Sequence, residues 1–503
     1  MLVSTAILIA FVIFLVALSF KNIREHFYSL LYIHNLPGPP ANDILTGNLL
    51  YLYTTPDNVF KTLREWSKLY YPVYKTTCAH LGAANIVSPD DFETVLSTPI
   101  HMEKSFIYDM LHDWLGTGLL TSTGLKWQIR RKILTPAFHF SILQQFTAIF
   151  NEETEKLVKV FRQECDKPYI NVTPHVTQFT LKTIAETAMG TKLQFTSHKE
   201  ISYKKSIFEM GELLLYRLLR TWLIYKFLYL FTSRYYIERK VIKHLHSFTD
   251  SVIAEREKNF KEVVPPTEND DVYTGKKRLA MLDLLLTAKH KEGTIDDVGI
   301  REEVDTFMFE GHDTTSVALS FALMQIACHK DVQERIVEEM GEVLGDLKKK
   351  PTCNDLQEMR YLERAIKEVL RMYPSVHFIS RKLGEDMVTR CGHTISKGSM
   401  VNLHIYDLHH NPEIYPDPEK FDPDRFLPEN SQTRHPFAYL PFSAGARNCI
   451  GKKFAMLELK TAICGILANF VLEPIDSAST IVLVADIVLR TKEGIKVRFV
   501  PRA

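Results

Sequence analysis

Disulfide and zinc chemistry are poorly provided for in this sequence. Seven cysteines are spread over 503 residues, an odd number with no Cys-x-x-Cys pair. That usage weighs against a disulfide framework, suits a reducing compartment and leaves no pair at zinc-ligand spacing. An excess of one charge is missing too. Lys and Arg total 61 against 60 Asp and Glu, which argues against nucleic acid as a partner. No composition break divides the chain, although its length alone would allow roughly three domains. One large domain organised by a bulky cofactor fits that uniformity.

Charge is also lacking from Leu2 to Phe20, a run of mostly Ile, Leu, Val, Phe and Ala. Crossing a bilayer takes about 17 to 25 such residues. A cleaved signal peptide would suit Ala17 and Ser19 but normally starts with basic residues. Lys21 and Arg24 follow the run, so a retained signal-anchor over 1–20 would leave the remainder cytosolic. Residues 21–40 then read as a basic stop and a hinge stiffened by Pro37-Gly38-Pro39-Pro40. Residues 41–503 follow as the globular domain.

Short strands are expected at Val73–Thr77 and Ala84–Val87 after a helix over Val59–Leu69. Trp127 and Arg131 share a face of a second helix that Pro136 ends. Ile207 to Phe231 is heavily apolar, but Glu209, Glu212, Arg217, Arg220 and Lys226 interrupt it too often for a membrane span. A hydrophobic lid and ordinary core helices both fit. Glu257 to Lys277 is charged, carries Pro265-Pro266 and reads as an exposed loop.

Val298 to His329 is a long helical stretch with an awkward centre, Glu310-Gly311-His312-Asp313-Thr314-Thr315. Gly, Asp and two Thr are poor interior residues, and their polar groups compete for backbone hydrogen bonds. The expectation is a polar notch that opens or bends the helix. Such a notch could hold oxygen and water against a metal while Asp313 and Thr314 relay protons; a tolerated kink is the plainer alternative. Glu368 and Arg371 share one face of a helix expected over Asp355–Met372. Most such pairs are solvated and worth under about 1 kcal/mol.

Near the C-terminus, Pro441 to Gly451 reads as a glycine-hinged loop that presents Cys449 and enters a helix over Lys452–Ala468. Gly445 and Gly451 permit close approach to a flat partner. The helix amides aimed at Cys449 favour a thiolate, either nucleophile or metal ligand. Arg447 offers a fork suited to a carboxylate.

Phe442, Gly445, Arg447, Cys449 and Gly451 resemble the haem-binding loop of the cytochrome P450 superfamily, with Ala446 where relatives often carry proline. The thirteen residues Glu303 to Thr315 closely resemble the signature of family 4 within it. The resemblance runs from the apolar N-terminus to the last strand. It implies a mainly α fold with a smaller β region, one large haem domain behind a membrane anchor. Cys449 would be the axial ligand of haem b, the only metal centre, and thiolate ligation favours oxygen cleavage. Trp127, Arg131, Arg381 and Arg447 would hold the propionates.

The same resemblance makes Thr314 the oxygen-activating hydroxyl and Asp313 its acidic neighbour. Glu310 could form an ester with a haem methyl, or simply a hydrogen bond in the notch. Glu368 and Arg371 would be buried and joined by Arg425 from the segment Phe421 to Phe426. Phe307, Val376, His377, Phe378 and Val488 would touch substrate, while His312, His404, His409 and His410 would not be ligands. Arg130, Lys132, Lys452 and Lys453 would form a basic face for an acidic flavoprotein donor.

The implied activity is insertion of one atom of O2 into a C–H bond, at or near the end of a fatty acid or related lipid. Electrons would come from NADPH-cytochrome P450 reductase, with cytochrome b5 as a further partner, at the cytosolic face of the endoplasmic reticulum. A xenobiotic, steroid or hormone-precursor substrate stays open, as does a haem-binding protein without turnover.

Overall fold

A computed structural model describes residues 32–42, 46–78, 81–195, 198–260 and 280–502. The anchor expected over 1–20 and the Pro265-Pro266 loop lie outside the described residues. Among those described, no single helix is long and apolar enough to cross a membrane.

Among the described residues, a one-turn helix at Leu49–Leu52 precedes α1 (Pro56–Leu69), started by Pro56 at its first position, and the hairpin β1 (Val73–Cys78) and β2 (Leu81–Ile86). Helices α2 (Gly124–Leu134), α3 (Phe140–Glu164), α4 (Val172–Thr187), α5 (His198–Leu218) and α6 (Ser233–Lys258) follow, with the short strand β3 (Ile170–Asn171) before α4. Pro136 ends α2 as expected, in a 3-10 turn over Thr135–Phe138.

Helix α7 (Asp297–Cys328) runs through the middle of the fold against α4. Asp296 caps its start by accepting from the Gly299 amide at 2.8 Å. It is buried on nearly every side, from Val304 and Met308 to Leu319 and Leu323, which suits the apolar residues that flank its polar centre. The expected opening at 310–315 does not occur, and the helix is continuous. The hydroxyls bond back along it instead, Thr314 to the Glu310 carbonyl at 2.8 Å and Thr315 to that of Gly311 at 3.1 Å. Serving carbonyls within the helix, they do not break its ladder.

Beyond α8 (Lys330–Leu344), the helix expected over Asp355–Met372 is divided at Met359 into a short turn and α9 (Arg360–Met372). Strands β4 (Ile379–Lys382) and β5 (Met400–Leu403) join the hairpin in the order β1-β2-β5-β4, with β2 and β5 parallel. Helix α10 (Lys452–Leu467) packs on α3 and α7. The chain ends in β6 (Phe470–Pro474), β7 (Leu483–Val484), β8 (Arg490–Thr491) and β9 (Lys496–Pro501). Strand β9 lies between β3 and β6, and β7 pairs with β8. One large apolar core joins the helices, and a smaller one lies under the four-stranded sheet.

Candidate functional site

A cavity of about 480 Å³ separates the 441–451 loop from α7. Cys449 lines one wall, while Phe307, Glu310, Gly311 and Thr314 line the other. The loop is drawn tight where the Cys449 amide donates to the Phe442 carbonyl at 2.9 Å. Gly445 stands at φ 69°, and a side chain there would overlap the Leu96 carbonyl. Gly451 is less constrained, since a Cβ would meet Cys449 Sγ only at 3.9 Å. Cys449 carries accessible surface, but that surface is cavity wall inside the protein. Burial pushes its thiol up to about 11, with Glu310 adding to the rise. The Gly451 amide, Arg131 and Lys452 pull the other way. The Gly451 amide at the helix start favours the thiolate, but burial outweighs it.

On one side of the cavity, cations gather with few counter-charges. Arg381, Arg447 and Arg131 line it, as does Lys104, which the sequence reading missed. Arg381 donates to the Ser380 carbonyl at 3.1 Å, and Arg447 donates to those of Ser122 at 2.6 Å and Met102 at 3.3 Å. Arg131 grips Asn448 through its carbonyl and side-chain oxygen, both at 2.9 Å. The Arg447 guanidinium lies 4.9 Å from the Trp127 ring centroid. Burial, then the charges of Arg381 and Arg447, hold Lys104 well below its usual range. Burial and Arg381 bring Arg447 down to about 10. Cations that repel one another and bond mainly to neutral oxygens need an anionic occupant. A thiol opposite an apolar helix, with such a cluster at the edge, fits an iron porphyrin and its two carboxylates.

Glu310 is the acid facing Cys449 across the cavity. Burial raises its carboxyl to about 7 against the pull of Lys104 and Arg447. Asp313 is not brought there. One residue along a helix turns the side chain by about 100°, and Asp313 points away from the cavity onto Arg490. Phe307, Val376, His377, Phe378 and Val488 all line the cavity. Burial keeps His377 neutral, down at about 3.

Glu368 and Arg371 are fully buried and joined by two bonds of 2.8 Å. Arg425 lies 3.3 Å from the same carboxylate, so the three residues meet. Arg371 also donates to the His409 carbonyl at 2.9 Å. His404 bonds to Asn85 at 2.9 Å, and His410 to the Tyr406 carbonyl at 2.8 Å. Of the four residues expected on the basic face, Lys132, Lys452 and Lys453 are exposed. Arg130 is buried, 3.7 Å from Glu303 on α7, because its phase on α2 turns it inward.

A family model described as Cytochrome P450 matches residues 37–499. Among curated proteins, the chain is 42% identical to cytochrome P450 4c3 of Drosophila melanogaster over 485 residues, 94% of this chain and 90% of that protein. It is 39% identical to cytochrome P450 4d2 of the same species, covering 93% of this chain and 94% of the relative. Cytochrome P450 4V2 of Mus musculus is 37% identical over 93% of this chain and 90% of its own length.

Proposed function

Because the chain belongs to the cytochrome P450 family of haem-thiolate monooxygenases, we propose that it hydroxylates long-chain fatty acids or related lipids at or near the chain end. The observation that carries this reading is the cavity itself. Cys449 stands on one wall, Thr314 and Glu310 on the other, and Leu214, Leu218, Phe309 and Val488 make it apolar. Similarity to family 4 members along most of the chain supports the substrate class.

In this reading Cys449 holds the iron of haem b, while Lys104, Arg131, Arg381, Arg447 and Trp127 hold its propionates. Haem bound here supplies one-electron redox chemistry and activates O2. The Thr314 hydroxyl, anchored on the Glu310 carbonyl, holds a proton at Oγ1 beside the oxygen site. Asp313 supplies protons only by leaving Arg490. Apolar walls exclude water and strengthen every polar contact inside. One oxygen atom enters the substrate C–H bond, and the other leaves as water after two electrons and two protons arrive. The electrons come from an NADPH-dependent reductase, with cytochrome b5 as a second donor, docking on Lys132, Lys452 and Lys453.

Glu310, which lines the cavity, would be the residue to tether a bound haem, its carboxylate taking the place of one methyl hydrogen in a two-electron oxidation that turnover with O2 would supply. Acid–acetone extraction after turnover should leave haem on the wild-type chain and release it from Glu310→Ala.

We propose a domain plan of an anchor over 1–20, a hinge over 21–40 and the haem domain over 41–503, at the cytosolic face of the endoplasmic reticulum. Supporting the membrane placement, Trp222, Tyr225, Phe227, Leu228, Leu230 and Phe231 are exposed, Phe231 to 87%. Just before this stretch, Arg220 donates to the hydroxyl of Tyr53, itself exposed, at 3.2 Å. Apolar surface of this extent suits a lipid interface.

The reading is tested by the carbon-monoxide difference spectrum of the reduced protein, then by turnover of a fatty-acid panel with reductase and NADPH. A thiolate spectrum and terminal or near-terminal alcohols are expected. Spectral binding without product would reject it.

A further inference from the structure

Asp313 on α7 and Asp486 in the β7–β8 turn share one guanidinium. Arg490 donates through Nη2 and Nη1 to the Asp313 carboxylate at 2.8 and 3.2 Å, and through Nε to Asp486 at 2.6 Å. All three side chains are at most 12% exposed. Helix α5 lines the cavity through Gly211, Leu214, Leu215 and Leu218, and we term it the lid; it packs against the same point. Phe208 lies under the guanidinium, 4.3 Å from centroid to carbon, and a side chain at Gly211 would overlap the Asp486 carboxylate. Asp486 also accepts from the Ile487 amide at 2.7 Å.

This cluster borders the cavity without being inside it. Asp486, Ile487, Val488 and Gly211 line the cavity, but Asp313 and Arg490 do not. The turn is tied to α7 a second time: the Leu489 amide donates to the Ser375 carbonyl at 2.8 Å, and the Ser375 hydroxyl donates to the Thr314 carbonyl at 2.7 Å. Three cavity-forming elements therefore meet at Arg490: the oxygen-side helix, the substrate-side turn and the lid.

We infer that Arg490 is a positioning residue that clasps the lid and the β7–β8 turn onto α7, and so sets substrate pose while holding the Asp313 carboxylate out of the cavity. The assignment rests on the reading of this cavity as the oxygenation site. Without the guanidinium, two buried carboxylates face each other with no counter-charge, and such pairs separate or take up protons. Separation moves the turn off α7 and loosens α5. A looser roof admits more substrate poses and more water.

The test uses full-length holoprotein carrying Arg490→Gln or Arg490→Lys, with two independent readouts. Hydrogen–deuterium exchange of α5 peptides around Phe208 and Gly211 should rise at least 5-fold in R490Q. Product formed per NADPH should fall at least 3-fold, and the hydroxylation positions should broaden, with the thiolate spectrum retained. R490K should restore part of both, because a lysine keeps the charge but loses the fork. If R490Q does not fold with haem, Gly211→Ala carries the test by crowding Asp486 with the charges intact, and the same shifts are expected. Unchanged α5 exchange together with unchanged product positions, in whichever variant folds, overturns the clasp. Absence of lipid turnover in the wild type would overturn the substrate class instead and leave the exchange result to decide the clasp.

Discussion

The backbone amide of Leu440 donates to Nε2 of His409 at 2.8 Å. This bond connects the buried ion cluster to the loop that presents the cysteine. Arg371 holds the His409 carbonyl, and the Tyr439 hydroxyl donates to the Lys367 carbonyl on α9 at 2.9 Å. The cluster therefore braces the start of the 441–451 loop without touching the cavity.

Removing one partner from that cluster should be costly. Arg371→Ala or Glu368→Gln leaves an uncompensated buried charge or donor, a loss of about 3–5 kcal/mol. Either variant should accumulate little thiolate-type holoprotein. His409→Phe strands the Leu440 amide and should cost about 1–3 kcal/mol. Haem content and denaturation midpoints check both, and a normal spectrum with unshifted stability in R371A would remove the bracing role.

Lys104 is expected to matter for retaining haem. A charge-assisted hydrogen bond is worth about 1.5–3 kcal/mol, so Lys104→Met should release haem roughly 10- to 100-fold faster. Transfer to excess apomyoglobin measures that rate. A rate equal to wild type would take Lys104 out of the propionate set.

Acid should expose the buried histidines. Burial lowers His410 to about 3, against an ordinary value near 6.5. Between those values the unfolded chain binds the proton and the folded chain does not. His410's share of stability is thus fully present above about pH 6.5 and is lost as pH falls toward 3, at up to ~1.4 kcal/mol per pH unit. Glu303 and Asp407, raised to about 7 and about 6, act in the opposite sense and lose stability as pH rises through those values. His410→Phe keeps a ring to stack on Tyr406 and has no titrating group, so the gap between variant and wild-type denaturation midpoints should stay constant above about pH 6.5 and shift in the variant's favour below it. Parallel profiles would contradict the assignment.

Electron delivery should respond to Lys452 and Lys453. Charge reversal to Glu should slow reduction by the flavoprotein several-fold at low salt, and the gap should close as ionic strength rises. Stopped-flow reduction at several salt concentrations decides it. Arg130→Gln should act through stability instead, because its charge is directed at buried Glu303.

Features that depend on residue type at short spacing were legible in advance. Cys449 with its glycines, and Glu368 with Arg371 one helical turn away, are patterns of this kind. The long helix was placed to within a residue at each end, because its apolar stretch is a local signal. Its supposed break was not real, since helical threonines can bond to the carbonyls behind them. Lys104 gave no signal, as a lone lysine in a loop has no recognisable pattern.

By itself, the order of residues determined the cysteine loop and the pairing of Glu368 with Arg371, because each is written in side-chain chemistry a few positions apart; the burial of that pair, the largely helical fold and the prosthetic group came from the resemblance to a family. Only the folded arrangement decided which way Asp313 faces, that Arg130 lies inside, and that His409 and Arg490 link distant segments. Those outcomes depend on helix phase and on contacts between residues as far apart in the chain as Phe208 and Arg490, and no local rule reaches that far.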